Sequence, residues 1–430
     1  MEGRKLISTI IVMTMIIAIV LTTSACNKTK KALEPVSIQL SFAGNLTAVN
    51  LDYEKVYLDA AENFHKLYPN ITITINYSHE PTLIRTDITK LLATEDSPDI
   101  IQLDLNYLEI ADKKDLLLDL KHLTSSKEMD INERILDASL INGKMLILPI
   151  FAVPKVMVYR KEFFEDVNIS YPQGAWTWEQ FRDISKKLKP MGSVLPYDIA
   201  TLNLLMGSTG KGVLSPDGTT SVAYLDSPEA IRTLSWLNKY YQDDKLKQTP
   251  MDFNDALNQF GNSPTGMSMD IWPYLLKLTS EDTIGIASLP YFEGGKRANP
   301  VWLSGFGISK NSKHAEEAWQ FIKYLTLTKQ ETANKLTDFY LTTSKAMADA
   351  SGQSSDPAKS VYIEEANYVV KPAMDNNLYF YNAWNEERVA QFEGLFGEVE
   401  QDLPIKLHEL ALKLDEELNR LKNADKEATK

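Results

Sequence analysis

Two alternating periodicities between Val36 and Asp104 constrain this chain more than any other feature. Val36, Ile38, Leu40 and Phe42 repeat every second residue, as a half-buried strand does. Ala60, Ala61, Phe64 and Leu67 then recur at helical spacing until Tyr68-Pro69-Asn70 stops them. Ile71–Tyr77 alternates again and Leu83–Ala93 reads as a second helix. Ile100-Ile101-Gln102-Leu103 is a buried strand ending at Asp104. Strand, helix, strand, helix, strand at this spacing predicts a parallel sheet with crossover helices. Ligands of such sheets sit beyond the carboxyl ends of the strands. That rule points to Ala43–Asn45 and to Asp104.

The rest of the chain keeps to the α/β class. Asn142-Gly143-Lys144 is a turn, Met145–Phe151 an apolar strand broken by Pro149, and Val156–Tyr159 another strand. Thr177 with Gln180 three residues on is a capping box, opening a helix over 178–188 with Trp178, Phe181, Ile184 and Leu188 on one face. Leu407, Leu410, Ala411, Leu414, Leu418 and Leu421 mark a last amphipathic helix, expected to fray from Asn423. At 430 residues the chain exceeds one ordinary core and suits two domains. A net charge of -13 argues against nucleic acid as a partner. Its five His are scattered and its one Cys can form neither an internal disulfide nor a thiolate cluster, so neither metal nor cofactor is expected.

That one Cys is informative by position. Arg4 and Lys5 form a basic head. No charge falls between Leu6 and Asn27, and small residues Thr22–Ala25 lead into Cys26. These are the marks of a secretory signal, too short in its apolar run to span a bilayer. The junction resembles a bacterial lipobox, with Thr23 where Leu is usual. A plain cleaved signal and an uncleaved anchor are the rival readings. Lipidation of Cys26 would supply two acyl chains, and stable anchoring takes about two. Residues 1–25 are then the signal, 26–35 a tether, and the remainder is extracytoplasmic, tied to the outer face of the cell membrane.

From Asn142 onward a set of segments resembles the type 1 extracellular solute-binding proteins of ABC importers, which carry sugars. The set begins with Asn142-Gly143-Lys144, Leu148-Pro149 and Val158-Tyr159-Arg160-Lys161-Glu162-Phe163-Phe164, followed by Thr177-Trp178-Glu179-Gln180-Phe181. Further on come Pro264–Pro273 with Asp270 and Trp272, Ile284–Pro290, and Ser304–Lys313 leading into Ala315–Leu325. Their order carries the resemblance. It implies a two-lobe α/β fold of the periplasmic-binding-protein kind (type II), with a cleft between lobes and chain crossovers as the hinge. Crossovers are expected near Leu148–Val153, near Ser304–Gly307 and after Thr343. Lobe 1 would hold 36–148 and 307–343, and lobe 2 would hold 149–306 and 344–425. A monomer that closes on a sugar or oligosaccharide and presents it to permease subunits, performing no chemistry, is what the resemblance implies.

A sugar offers apolar C–H faces and a rim of hydroxyls, so its pocket needs aromatic rings and short polar groups at loop tips. Trp272 and Asp270 at a strand end, Asp104, Asn45 beside Gly44, and Trp302 and Gly305 near the second crossover meet that requirement. Tyr379 and Trp384 come from an aromatic cluster. Core packing is the rival for Trp272 and Trp302, a helix N-cap for Asp270 and Asp104, and a simple turn for Asn45. Trp176, Trp178 and Trp319 read as core. A tethered glycosidase, a peptide binder and a ligand-free surface protein remain alternatives, since 58 acidic residues make carboxylate pairs inevitable. No Gly-x-Ser-x-Gly, His-Glu-x-x-His or P-loop motif occurs.

Overall fold

A computed structural model of the protein describes residues 34–42, 51–76, 85–124, 129–188, 191–243, 251, 253–269, 283–328, 335, 337, 341–398 and 400–428. Its strands are β1 (Val36–Phe42), β2 (Ile71–Asn76), β3 (Ile100–Asp104), β4 (Leu148–Val153), β5 (Met157–Arg160), β6 (Met191–Val194), β7 (Thr265–Met269), β8 (Ile284–Ala287), β9 (Asn299–Pro300), β10 (Trp302–Ile308) and β11 (Val369–Val370).

The alternation at the start of the chain folds as its periodicities require. Ile38 and Leu40 of β1 are fully buried, and β1 pairs in parallel with β2 on one side and β3 on the other. Helix Leu51–Leu67 makes the first crossover, turning Tyr57, Ala60 and Phe64 into the core. The five-stranded sheet then takes strands from far along the chain, in the order β2-β1-β3-β10-β4. Strand β10 runs antiparallel to both β3 and β4. A four-stranded sheet, β6-β7-β5-β8, forms the second lobe. Trp176, Trp178 and Phe181 pack behind it, with helix Pro228–Tyr241 and the buried leucines of helix Leu403–Ala428. The capping box at Thr177 and Gln180 is present. Asn142 and Gly143 both take positive φ in the turn that returns Lys144 against Ile141.

The chain changes sheet at places other than those expected. Residues 148–153 and 302–308 are strands of the five-stranded sheet along their whole length, because each finds its hydrogen-bonding partner there. The first crossing therefore falls between Val153 and Met157, and the second between Ala287 and Trp302. Residues 344–370 also stay with the first lobe, where Tyr362, Ala366 and Val369 join its core. This moves 149–153, 302–306 and 344–370 out of the second lobe. The three crossings meet in a neck where β9 and β11 pair in parallel. Asn299 holds it together: its Oδ1 accepts from Lys155 N at 2.8 Å, and its Nδ2 donates to Lys155 O at 2.7 Å and to Glu365 Oε2 at 2.8 Å. Glu365 in turn pairs with Arg297, whose guanidinium lies 3.6 Å from the centre of the Tyr368 ring. Burial lifts the Glu365 carboxyl, and its bonds to Asn299 and Arg297 oppose that rise.

The last helix also departs from expectation. It runs to Ala428 instead of fraying from Asn423. Asp425 accepts from Lys113 Nζ at 3.0 Å and from the Tyr379 hydroxyl at 2.8 Å, so a first-lobe lysine secures the end of a second-lobe helix. Among the described residues no helix is long and apolar enough to cross a membrane.

Candidate ligand site at the strand ends

Strand β3 ends at Asp104, and antiparallel β10 sets Ser304 opposite it. The first residue of β10, Trp302, therefore lies at the same end of the sheet as the last residue of β3. Both line a cavity of about 190 Å³. Asn106 comes from the turn after β3, Lys155 from the first crossing and Asn203 from helix Ile199–Gly207. Asp375 and Tyr381 arrive after the third crossing, so the cavity takes walls from both lobes.

Asp104 occupies the N-cap position of the turn Leu105–Tyr107, yet its side chain makes no capping bond. The N-cap reading therefore does not account for it. Burial pushes its carboxyl up to about 6, opposed by hydrogen bonds from the Ser304 and Trp302 side chains and aided by the charge of Asp375. Its Oδ1 and the Oδ1 of Asn106 are buried and accept no hydrogen bond from the described residues. Leaving an acceptor desolvated and unmatched costs about 1–3 kcal/mol, so such atoms in a polar concavity fit a ligand that brings donors. Trp302 is 36% exposed, with an edge contact to Phe151 at 5.6 Å between centroids. The Tyr381 hydroxyl donates to Asp375 Oδ1 at 2.7 Å, and the residue is 46% exposed. Half-open aromatic rings beside carboxylates and amides suit a polyhydroxylated ligand.

The remaining sequence candidates fall elsewhere. Gly305 is held by packing: a Cβ there would come within 2.5 Å of the Leu148 carbonyl oxygen, where β10 shifts register against β4. Tyr379 binds Lys113 and Asp425, outside the cavity lining. Trp384 stacks on Phe380 at 6.0 Å and packs against the second core. Trp176, Trp178 and Trp319 are buried, as expected. Cys26, Asn45, Asp270 and Trp272 lie outside the described residues. The sequence reading missed Asn106, Lys155, Asn203, Asp375 and Tyr381. Tyr381 belongs to the aromatic cluster it noted, but no periodicity told which ring faces the cavity.

A second cavity of about 230 Å³ adjoins the first, sharing Asn203, Pro300 and Pro372 as a common wall. Two roomier hollows, of about 500 and 510 Å³, contain neither Asp104 nor Trp302. Among the described residues no group of three or more His, Cys, Asp or Glu could hold a metal ion.

Comparison with known proteins bears on this geometry. Residues 48–332 match the sequence profile of the bacterial extracellular solute-binding proteins. A binding protein of Brucella abortus (strain 2308) is 29% identical over 209 residues, 45% of this chain and 49% of that protein. The diacetylchitobiose binding protein of Streptomyces coelicolor is 23% identical over 266 residues, 58% of this chain and 61% of that protein. The chain thus spans about half the length of the curated relatives it matches. Among solved structures, the cyclic alpha-maltosyl-1,6-maltose binding protein of Arthrobacter globiformis superposes with a TM-score of 0.71. The two are 15% identical, covering 90% of this chain and all of that one. These relatives are binding proteins, not enzymes.

Proposed function

The chain belongs to the bacterial extracellular solute-binding proteins, and from that premise we propose that it is a lipid-anchored receptor capturing a sugar or oligosaccharide for an ABC permease. The observation that carries this reading is the cavity where Asp104 and Trp302 meet Asp375 and Tyr381 from across the neck. Asp104, Asn106, Asn203 and Asp375 would bond the hydroxyl rim, and Trp302 and Tyr381 would meet the C–H faces. Asn45, Asp270 and Trp272 stay candidates on sequence alone. Contacts drawn from both lobes are complete only when the lobes are together, so ligand selects the closed form. The neck at 154–156, 299–301 and 369–372 is the natural hinge, with the second lobe starting at Met157. Closure presents one continuous surface to permease subunits, and a monomer suffices for this. Cys26 carries the lipid that holds the receptor outside the cell membrane. The test is a thermal-shift panel of mono- and oligosaccharides, with chromatography of each sugar afterwards. Stabilisation by a sugar recovered intact is the expected result. Turnover of the sugar, or no shift with any of them, would overturn the proposal.

A further inference from the structure

The cavity beside the Asp104 site has the opposite electrostatic character. Among the described residues its lining includes Lys211 and Lys371 and no carboxylate. Lys211 is tied to Glu229, which stands outside the lining, at 3.0 Å. Lys371 has no such tie: its Nζ is buried and makes no hydrogen bond among the described residues. Burial pushes its ammonium down, while the more distant charges of Asp375 and Glu109 pull it back up. An ammonium out of water needs acceptors, and none among the described residues is in contact with it.

Position joins this cavity to the first. The two cavities share Asn203, Pro300 and Pro372, and Lys371 adjoins that wall in sequence. Asn203 is fixed there, its Oδ1 accepting from Val213 N at 3.0 Å. The paired β9 and β11 hold Pro300 and Val370 side by side in the same lining. A chain of sugar units seated on Asp104 would have this cavity as its neighbouring space. Resting on the sugar-binding reading above, we infer that the cavity at Lys371 takes a carboxylate, so that the ligand is an acidic oligosaccharide bearing a uronic-acid unit. A carboxylate gives the buried ammonium a charge-assisted hydrogen bond, roughly twice as strong as one to a neutral hydroxyl.

The experiment uses disaccharide pairs differing only by oxidation at C6, digalacturonate against galactobiose and cellobiouronic acid against cellobiose, titrated calorimetrically into the mature protein. The expected result is at least tenfold tighter binding of the acidic member of one pair, weakening as salt is raised. Lys371→Met should weaken the acidic member at least tenfold more than the neutral one, with thermal melting verifying that the variant folds. Equal or tighter binding of the neutral members, or binding of neutral oligosaccharides alone in the wider panel, overturns the inference and leaves the sugar receptor standing. Silence toward every sugar overturns both. The wild-type comparison decides the matter even if Lys371→Met does not fold.

Discussion

If Asp104 binds ligand as proposed, affinity depends on pH in a calculable way. Its carboxyl is raised from 3.8 to about 6, chiefly by burial. A sugar whose hydroxyls donate to the carboxylate binds only the deprotonated form. Below about pH 6 a proton must leave first, and affinity should fall by up to about tenfold for each further pH unit. Titration calorimetry with one neutral sugar at constant ionic strength should find binding about tenfold weaker near pH 5 than near pH 7.5. Asp104→Asn should bind weakly at both, with the dependence gone. The free protein carries the opposite sign. A carboxyl raised on folding holds its proton longer folded than unfolded, so stability falls as pH climbs from about 4 through about 6. The full shift of about two pKa units sets an upper bound of about 3 kcal/mol. Asp104→Asn should therefore melt higher than wild type near pH 7.5 while binding worse. A flat wild-type affinity over this range would refute the reasoning. So would an Asn variant that keeps the full pH dependence.

Three other perturbations test the frame around the site. Glu365→Ala strands Arg297, only 13% exposed at its side chain, in the neck without its most buried partner. Urea unfolding should show a loss of about 3–5 kcal/mol, and a loss below 1 would mean that the neck does not depend on the pair. Gly305→Ala drives a methyl group to within 2.5 Å of the Leu148 carbonyl, so β4 and β10 must part. The expected cost is about 1–3 kcal/mol by chemical denaturation, and wild-type stability would show that the strands give way freely. Cys26→Ala should shift the protein from the membrane fraction to the soluble fraction in cell fractionation, whereas continued retention would make the apolar segment itself the anchor.

Why some of this was legible and some not follows from the range of each interaction. The parallel β2-β1-β3 unit lies within 69 consecutive residues, and period-two and period-3.6 patterns report local burial directly. The position of Asp104 at the end of β3, where it lines a cavity, was legible because a strand end is a local feature. The crossings were misplaced because membership of a sheet is decided by a partner far away. Nothing in Leu148–Val153 or Trp302–Ile308 taken alone says that each pairs with the other, yet their pairing moves both strands into the first lobe. The aromatic cluster shows the same limit at a finer scale. Tyr379 and Tyr381 are alike in type and two residues apart, but the turn of helix Phe380–Ala383 separates their fates. Tyr379 bonds Lys113 from the other lobe, and Tyr381 bonds Asp375 at the cavity. On the proposed reading, a ligand held from two lobes is met by residues whose common ground exists only after folding. The sequence can supply their chemistry in advance, whereas their selection needs the neck.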